Sequence, residues 1–492
     1  MRVYLRGAGW ATLLVLAAAL AACGRAPAVG VDAGPGDAPA LDSARADAPP
    51  ADAAFADVAP DAPLPDIAER LAAIPGMTVV EAGSTLPTYR FFRLTYDQPA
   101  DHDAPDGTRF AQRLTLLHRS TAAPMVLAST GYMLWPAPYD ASLAEPAQML
   151  LANQVTVEHR FFTPSRPAPA DWSRLTIAQA AADHHRIVTA LKPLYGAAWI
   201  STGASKGGMT TVYHRRFYPD DVDGSVAYVA PLSFGLADAR YVAFLAAVGD
   251  PACRAALTAF QRTALGRRAE IVAHMNAMAT GGTTFDVLGV DVAFEHAVLE
   301  LPFFFWQYHD VSLCTAIPVP TASAAQVWSF LDQVSDVTGF GDASVTDFEP
   351  YYYQAGTQLG YQGLDEAPVA DLLAHPGTDR PETYCPGLGV TFDPAAMTDV
   401  DAWVRTAGAR LMFVYGGNDP WSAAPFELGA AVDSFRYVVP AGNHGADIAQ
   451  LPAAARLEAT ATLGRWAGVQ AHLRAAGPRA GEPPLRVRRR LR

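Results

Sequence analysis

Residues 198–209 read AWISTGASKGGM. Ala198 to Ser201 looks like the end of a buried strand. Gly203-Ala204-Ser205-Lys206-Gly207 fits G-x-S-x-G, and a helix-like run from Met209 to Tyr218 follows until Pro219 stops it. Strand, sharp turn and helix are the context in which this pattern means a nucleophile elbow. Such a turn holds the serine in a strained backbone conformation and leaves no room for side chains on its flanks. Gly203 and Gly207 meet that need, and Gly208 lets the helix start close to the sheet. The same letters also fit an ordinary glycine-rich turn, so the rest of the chain must supply what a reactive serine requires.

Working outward, Thr88 to Thr95 (TYRFFRLT) and Phe110 to His118 (FAQRLTLLH) read as a strand pair across a Gly/Asp/Pro loop. Ala123 to Thr130 (APMVLAST) and Gln154 to Glu158 (QVTVE) are short runs of the kind found in buried parallel strands. Apolar residues recur at helical spacing between Thr176 and Leu191, and Gly224 to Ala230 (GSVAYVA) is a further strand. That alternation predicts an α/β sheet with helices on its faces. From Pro231 to about Thr398 the rhythm changes to helix-like runs, Ala252–Met278 and Ser323–Val337 among them, rich in Phe, Trp and Tyr. Strands return at Arg410 to Tyr415 (RLMFVY) and Phe435 to Val439 (FRYVV). The expected organisation is a core at 66–231 and 399–475, divided by a helical cap or lid at 232–398.

A serine hydroxyl is a weak nucleophile until a base takes its proton, and the base needs an acid to hold its tautomer. In the α/β-hydrolase order the acid and then the histidine follow later strands. Gly416-Gly417-Asn418-Asp419-Pro420-Trp421 comes just after RLMFVY, and Pro440-Ala441-Gly442-Asn443-His444-Gly445 just after FRYVV. Asp419 and His444 are therefore the candidate acid and base, with Asp433 and Asp401 as fallback acids. Each alone would be a common loop residue; three hits in order carry the triad. The backbone N–H of Lys206 is one candidate oxyanion donor, and the loop holding Gly131 and Tyr132 should offer the other. A Ser–Lys mechanism lacks the S-x-x-K spacing, because Gly208 stands at that place, and a phosphate-binding loop lacks its G-K-[ST].

At this point the chain resembles the secreted bacterial tripeptidyl aminopeptidases, α/β-hydrolase serine peptidases akin to prolyl carboxypeptidases. The carrying stretches are VEHRFFTPSRP (157–167), LTIAQAAADHHRIVTALKPLYG (175–196) and WISTGASKGGMTTVYHRRFYPDDVDGSVAYVAP (199–231). FVYGGNDPWSAAPFELG (413–429) and PAGNHGADIAQLP (440–452) complete them. The likeness spans most of residues 66–470 and is loosest in the insertion. It implies the roles already read for Ser205, Asp419 and His444, with oligopeptides as substrates, attack at the carbonyl of the third residue, and a preference among some relatives for proline there.

An exopeptidase must also sense the free N-terminal ammonium, which calls for a carboxylate. Glu158 is the first candidate, its structural alternative being a salt bridge with Arg160 or a buried structural pair; Asp347 and Glu349 are further choices. Phe303, Phe304, Phe305, Trp306 and Tyr351 to Tyr353 could build a proline pocket, although such clusters are more often core. His184 and His185 point about 100° apart on a helix and chelate poorly, so a structural role is expected. No motif asks for a cofactor or a metal.

Acidic residues outnumber Lys and Arg by 49 to 36, which argues against a nucleic-acid partner. Residues 1–23 have a basic start, a short apolar run and small residues, as a signal peptide does. Leu20-Ala21-Ala22-Cys23 resembles a bacterial lipobox, which implies an acylated Cys23 and a membrane partner through that anchor. The expected location is the cell envelope, at the outer membrane or surface, or outside the cell. Residues 24–65, nearly all Ala, Asp and Pro, read as a disordered tether, and 476–492 as a basic disordered tail. Of the remaining cysteines, Cys253, Cys314 and Cys385, any pair could form a disulfide, Cys253–Cys314 being the first choice. The competing functional readings are an esterase or lipase on the same triad, and a surface lipoprotein without catalysis.

Overall fold

The apolar runs pair into one nine-stranded sheet in the order β1-β2-β3-β5-β4-β6-β7-β8-β9. The computed structural model describes residues 65–474 apart from Pro138. The signal peptide, Cys23, the tether and the basic tail lie outside the described residues. The strands are β1 (Met77–Ala82), β2 (Arg90–Pro99), β3 (Arg109–His118), β4 (Met125–Ser129), β5 (Asn153–Val157), β6 (Trp199–Ala204), β7 (Gly224–Tyr228), β8 (Leu411–Gly416) and β9 (Phe435–Val439). The first three pair antiparallel, and β5 meets β3 antiparallel but β4 parallel. From β4 to β9 every pairing is parallel. This is the α/β-hydrolase fold.

The central strands β4, β7 and β8 are buried at every position, as a sheet covered on both faces requires. One face packs Leu114, Leu127, Val155 and Trp199 against the helix Ile177–Leu191. Thr176 caps that helix by accepting the Gln179 amide. Elsewhere the sheet packs Ile200, Val226 and Met412 against the C-terminal helix Ala453–Ala467. Two expectations change. The strand β1, edge-paired and with Val80 exposed, shows too weak an apolar alternation to be read from the sequence. The long run Ala252–Met278 is two helices, Pro251–Gly266 and Arg268–Ala277, broken at Arg267.

Between β7 and β8 the chain leaves the sheet and builds a helical layer with its own core, in which Phe260, Phe294, Leu331 and Trp306 are buried. Cys253 and Cys314 are disulfide-bonded across 61 residues of this layer, while Cys385 is free and buried. Closing a loop of that length removes about 4 kcal/mol of unfolded-chain entropy.

The motifs EHRFF and DHH turn out to brace this scaffold. The fully buried Arg160 meets Asp183 in a two-pronged pair, Nε to Oδ2 at 2.7 Å and Nη2 to Oδ1 at 2.8 Å. Its remaining N–H groups donate to the carbonyls of Ala100 and Arg174. Burial pushes the Asp183 carboxyl up, but the Arg160 charge and hydrogen bonds outweigh it and hold the group below its ordinary value. One ion pair thus ties the end of β5, the chain after β2 and the helix Ile177–Leu191. Removing one charge strands the other in the interior. Asp183→Asn should therefore cost about 3–5 kcal/mol in urea unfolding, and a loss below about 1 kcal/mol would contradict this role.

Candidate active site

The elbow occupies the C-terminal end of β6, in the middle of the sheet. Ser205 has φ 56° and ψ −127°, outside the regions side chains prefer, and the helix Lys206–Phe217 begins at the next residue. Its amide donates to the Tyr228 carbonyl of β7 at 2.9 Å, which ties the strained turn to the sheet. A Cβ on Gly203 would lie 2.2 Å from the Gly207 carbonyl oxygen, and one on Gly207 2.3 Å from the Ser129 carbonyl oxygen. The glycines are steric necessities. Helix geometry begins three residues earlier than the apolar pattern predicts.

Asp419 and His444 arrive at the ends of β8 and β9. The Asp419 carboxylate is fully buried and accepts from the Trp421 amide, the Ser422 hydroxyl and His444 Nδ1, the last at 2.9 Å. A carboxylate can only accept, so Nδ1 carries the hydrogen and Nε2 presents a lone pair. Asp433 is instead paired with Arg465, and Asp401 with Arg405, so neither fallback acid serves the histidine.

Two further groups hold the histidine loop. The His444 amide donates to the Gln307 carbonyl in the cap helix Leu301–Tyr308, and the Tyr308 ring meets the imidazole edge-on at 6.2 Å. On the far side, the buried Glu145 accepts from the Ile448 and Ala449 amides and from the Tyr228 hydroxyl. Sequence reasoning missed both. Glu145 stands before Pro146 in a short helix, and nothing local marks it as a partner for residues 303 positions away.

The Lys206 side chain is also engaged. Its buried Nζ donates to the Gly131 carbonyl at 2.6 Å and lies over the rings of Tyr132 and Phe162. Burial pushes this amine well below the ordinary lysine range. Gly131 has φ +73°, and a Cβ there would lie 2.3 Å from the Gly207 amide nitrogen. The loop after β4 is thereby pressed onto the elbow and clamped by the side chain beside the serine. The Tyr132 amide donates to Thr130 Oγ1 at 3.2 Å, a long bond that fixes the loop's turn.

Cavities flank Ser205 on both sides. One is walled by the core, with Met133, Trp135, Leu143, Thr156 and Tyr228. The other lies under the cap and is walled by Phe303, Phe304, Tyr308, Phe348, Tyr351 and Trp421, with Glu300 and Gln362. Tyr132 and Ser205 line both, and His444 lines the second. Of the expected aromatic pocket, Phe303, Phe304, Tyr351 and Tyr352 face this cavity, whereas Phe305 and Trp306 fill the cap's own core. Tyr353 packs with Phe161 and Leu175 instead.

Glu158 corrects an expectation. It is fully buried, and its carboxylate takes the Ser165 hydroxyl, the Leu134 amide and Arg113, each at 2.8 Å. Burial nevertheless pushes that carboxyl above its usual range. It lines neither cavity and its partner is Arg113 rather than Arg160, so its carboxylate is spent on holding loops together. Glu349 pairs with Arg166 at 3.6 Å, and neither it nor Asp347 lines either of these two cavities. His184 and His185 bind Ser129 and Asp221, as structural residues.

The family model described as PS-10 peptidase S37 matches residues 60–491. A prolyl tri/tetrapeptidyl aminopeptidase of Streptomyces mobaraensis is 48% identical over 415 residues, which cover 83% of this chain and 86% of that protein. Among solved structures, acetyl xylan esterase 1 from Thermoanaerobacterium sp. aligns with a TM-score of 0.34 at 10% identity, over 80% of this chain and 90% of that one. A proline iminopeptidase of Mycobacterium smegmatis gives 0.33 at 13% identity, over 79% and 98%.

The clamp is testable with a reagent that needs no substrate. Lys206→Met keeps the side-chain volume and removes the donor to Gly131. Its second-order rate of fluorophosphonate labelling at Ser205 should fall about 100-fold, because a misplaced oxyanion loop costs on that scale. An unchanged rate would show that the loop needs no clamp.

Proposed function

Because the chain belongs to the PS-10 peptidase S37 family, we propose that it is a serine exopeptidase that releases tripeptides from the free N-terminus of oligopeptides. The observation that carries the chemistry is the buried Asp419–His444 pair on the wall of a cavity that the strained Ser205 also lines. Ser205 Oγ attacks the carbonyl carbon of the third residue while His444 Nε2 takes the hydroxyl proton. The Lys206 amide and the loop at Gly131 and Tyr132 receive the negative oxygen of the tetrahedral intermediate. The C–N bond breaks as His444 returns the proton to the leaving amine. Water, deprotonated by the same nitrogen, then opens the ester and frees the tripeptide.

Proline before the scissile bond suits the site. The relative from Streptomyces mobaraensis carries the name prolyl tri/tetrapeptidyl aminopeptidase, and a pyrrolidine ring packs well on flat aromatic walls such as Phe303, Tyr351 and Trp421. Mass spectrometry of an oligopeptide digest should show tripeptides from the amino end, none with Ser205→Ala, and no cleavage of the same peptide when N-acetylated. Internal fragments from the acetylated peptide would contradict the exopeptidase reading.

The lipobox at Leu20 to Cys23 supports export and a lipid anchor at the cell envelope. Metabolic labelling with an alkyne fatty acid should mark the protein and fail on Cys23→Ser. Labelling that persists in the variant would refute the anchor.

A further inference from the structure

Glu158, once it is spent on loops, leaves the exopeptidase without the carboxylate that its substrates require. Among the described residues the cap-side cavity supplies another. We propose that Glu300 and Gln362, with Asp379 behind Glu300, form the subsite that holds the substrate's N-terminal ammonium; this rests on the exopeptidase reading above.

Hydrogen counting carries the proposal. Glu300, at the junction of the helices Val290–Leu299 and Leu301–Tyr308, is 6% exposed and lines the cavity that Ser205 and His444 line. The Tyr384 hydroxyl stands 3.2 Å from Glu300 Oε1, 3.2 Å from Asp379 Oδ1 and 2.8 Å from His296 Nδ1. One hydroxyl hydrogen cannot serve both carboxyl groups at once. The Glu300 and Asp379 carboxyls also hydrogen-bond each other, whereas Oε1 of Gln362, a cavity residue 4% exposed, is buried without any partner. Acceptors here outnumber donors, and an ammonium brings three N–H donors and a positive charge.

The electrostatics agree. Burial holds both carboxyls above their ordinary range, Glu300 well above it and Asp379 at about 7. Ionising Glu300 is therefore costly until a cation arrives beside it. The rings of Tyr351, Tyr352 and Tyr361 complete the wall, and aromatic faces attract a desolvated ammonium. Three extended residues reach about 10 Å, so an ammonium fixed in this cavity sets which carbonyl meets Ser205. Gln362 is held in place by a backbone bridge with Asp238. Asp336 is the other carboxylate on this wall, and its Oδ1 accepts the Thr338 hydroxyl at 2.6 Å.

The test compares kcat/KM on one tripeptidyl anilide with a free and with an acetylated N-terminus. The wild type should favour the free amine, and equal rates would sink the exopeptidase reading itself. With that preference present, Glu300→Gln should lower the free-to-acetylated ratio at least about 30-fold, the scale of losing a buried charge partner. Fluorophosphonate labelling of Ser205 reports whether that variant is folded. Gln362→Leu removes an oxygen with no partner in the free protein, and should lower the ratio about 10-fold or more. A ratio unmoved in both variants, or one that collapses in Asp336→Asn instead, would overturn the subsite.

Discussion

The close approach of backbone to backbone at the elbow is the constraint on which the site depends. Ser205 is held at positive φ because β6, β4 and the start of the Lys206–Phe217 helix touch through Gly203, Gly207 and Gly131. Strain of this kind costs of order 1–3 kcal/mol and survives only when its surroundings over-determine it. Here they do: the Ser205 amide is bound to β7, and Lys206 Nζ is bound to the Gly131 carbonyl. The lysine beside the proposed nucleophile acts as a staple between the elbow and the loop facing it.

The helical layer then serves the site in two ways. Its backbone carries His444 through the Gln307 carbonyl, so the base is fixed jointly by the core loop after β9 and by the cap. Its side chains roof the cavity with Phe303, Phe304 and Tyr351, and bring Glu300 in among them. The sheet ends present Ser205, Asp419 and His444, while the helical layer walls the cavity beside them.

Most of the core was legible because local pattern and tertiary role coincide there. The strands of residues 88–230, the elbow glycines and the order Ser205, Asp419, His444 all follow from short-range signals that the structure brings together. What was not legible depends on distant partners. Glu158 and Glu300 are both buried glutamates beside aromatic runs, and only the fold shows that Glu158 takes three donors while Glu300 shares the Tyr384 hydroxyl with Asp379. Arg160 looked like a partner for Glu158 two positions away, yet it reaches Asp183 on a helix instead. Glu145 meets the histidine loop across 303 residues, a contact no spacing predicts.

The central claim is that Ser205 becomes acylated by three residues counted from a free amine. Intact-mass analysis of enzyme quenched in acid during turnover of a tripeptidyl ester measures this directly. The account predicts an adduct of one tripeptidyl group, mapped by peptide digestion to Ser205 and absent with the acetylated ester. An adduct on another residue, or equal acylation by the acetylated ester, would contradict it.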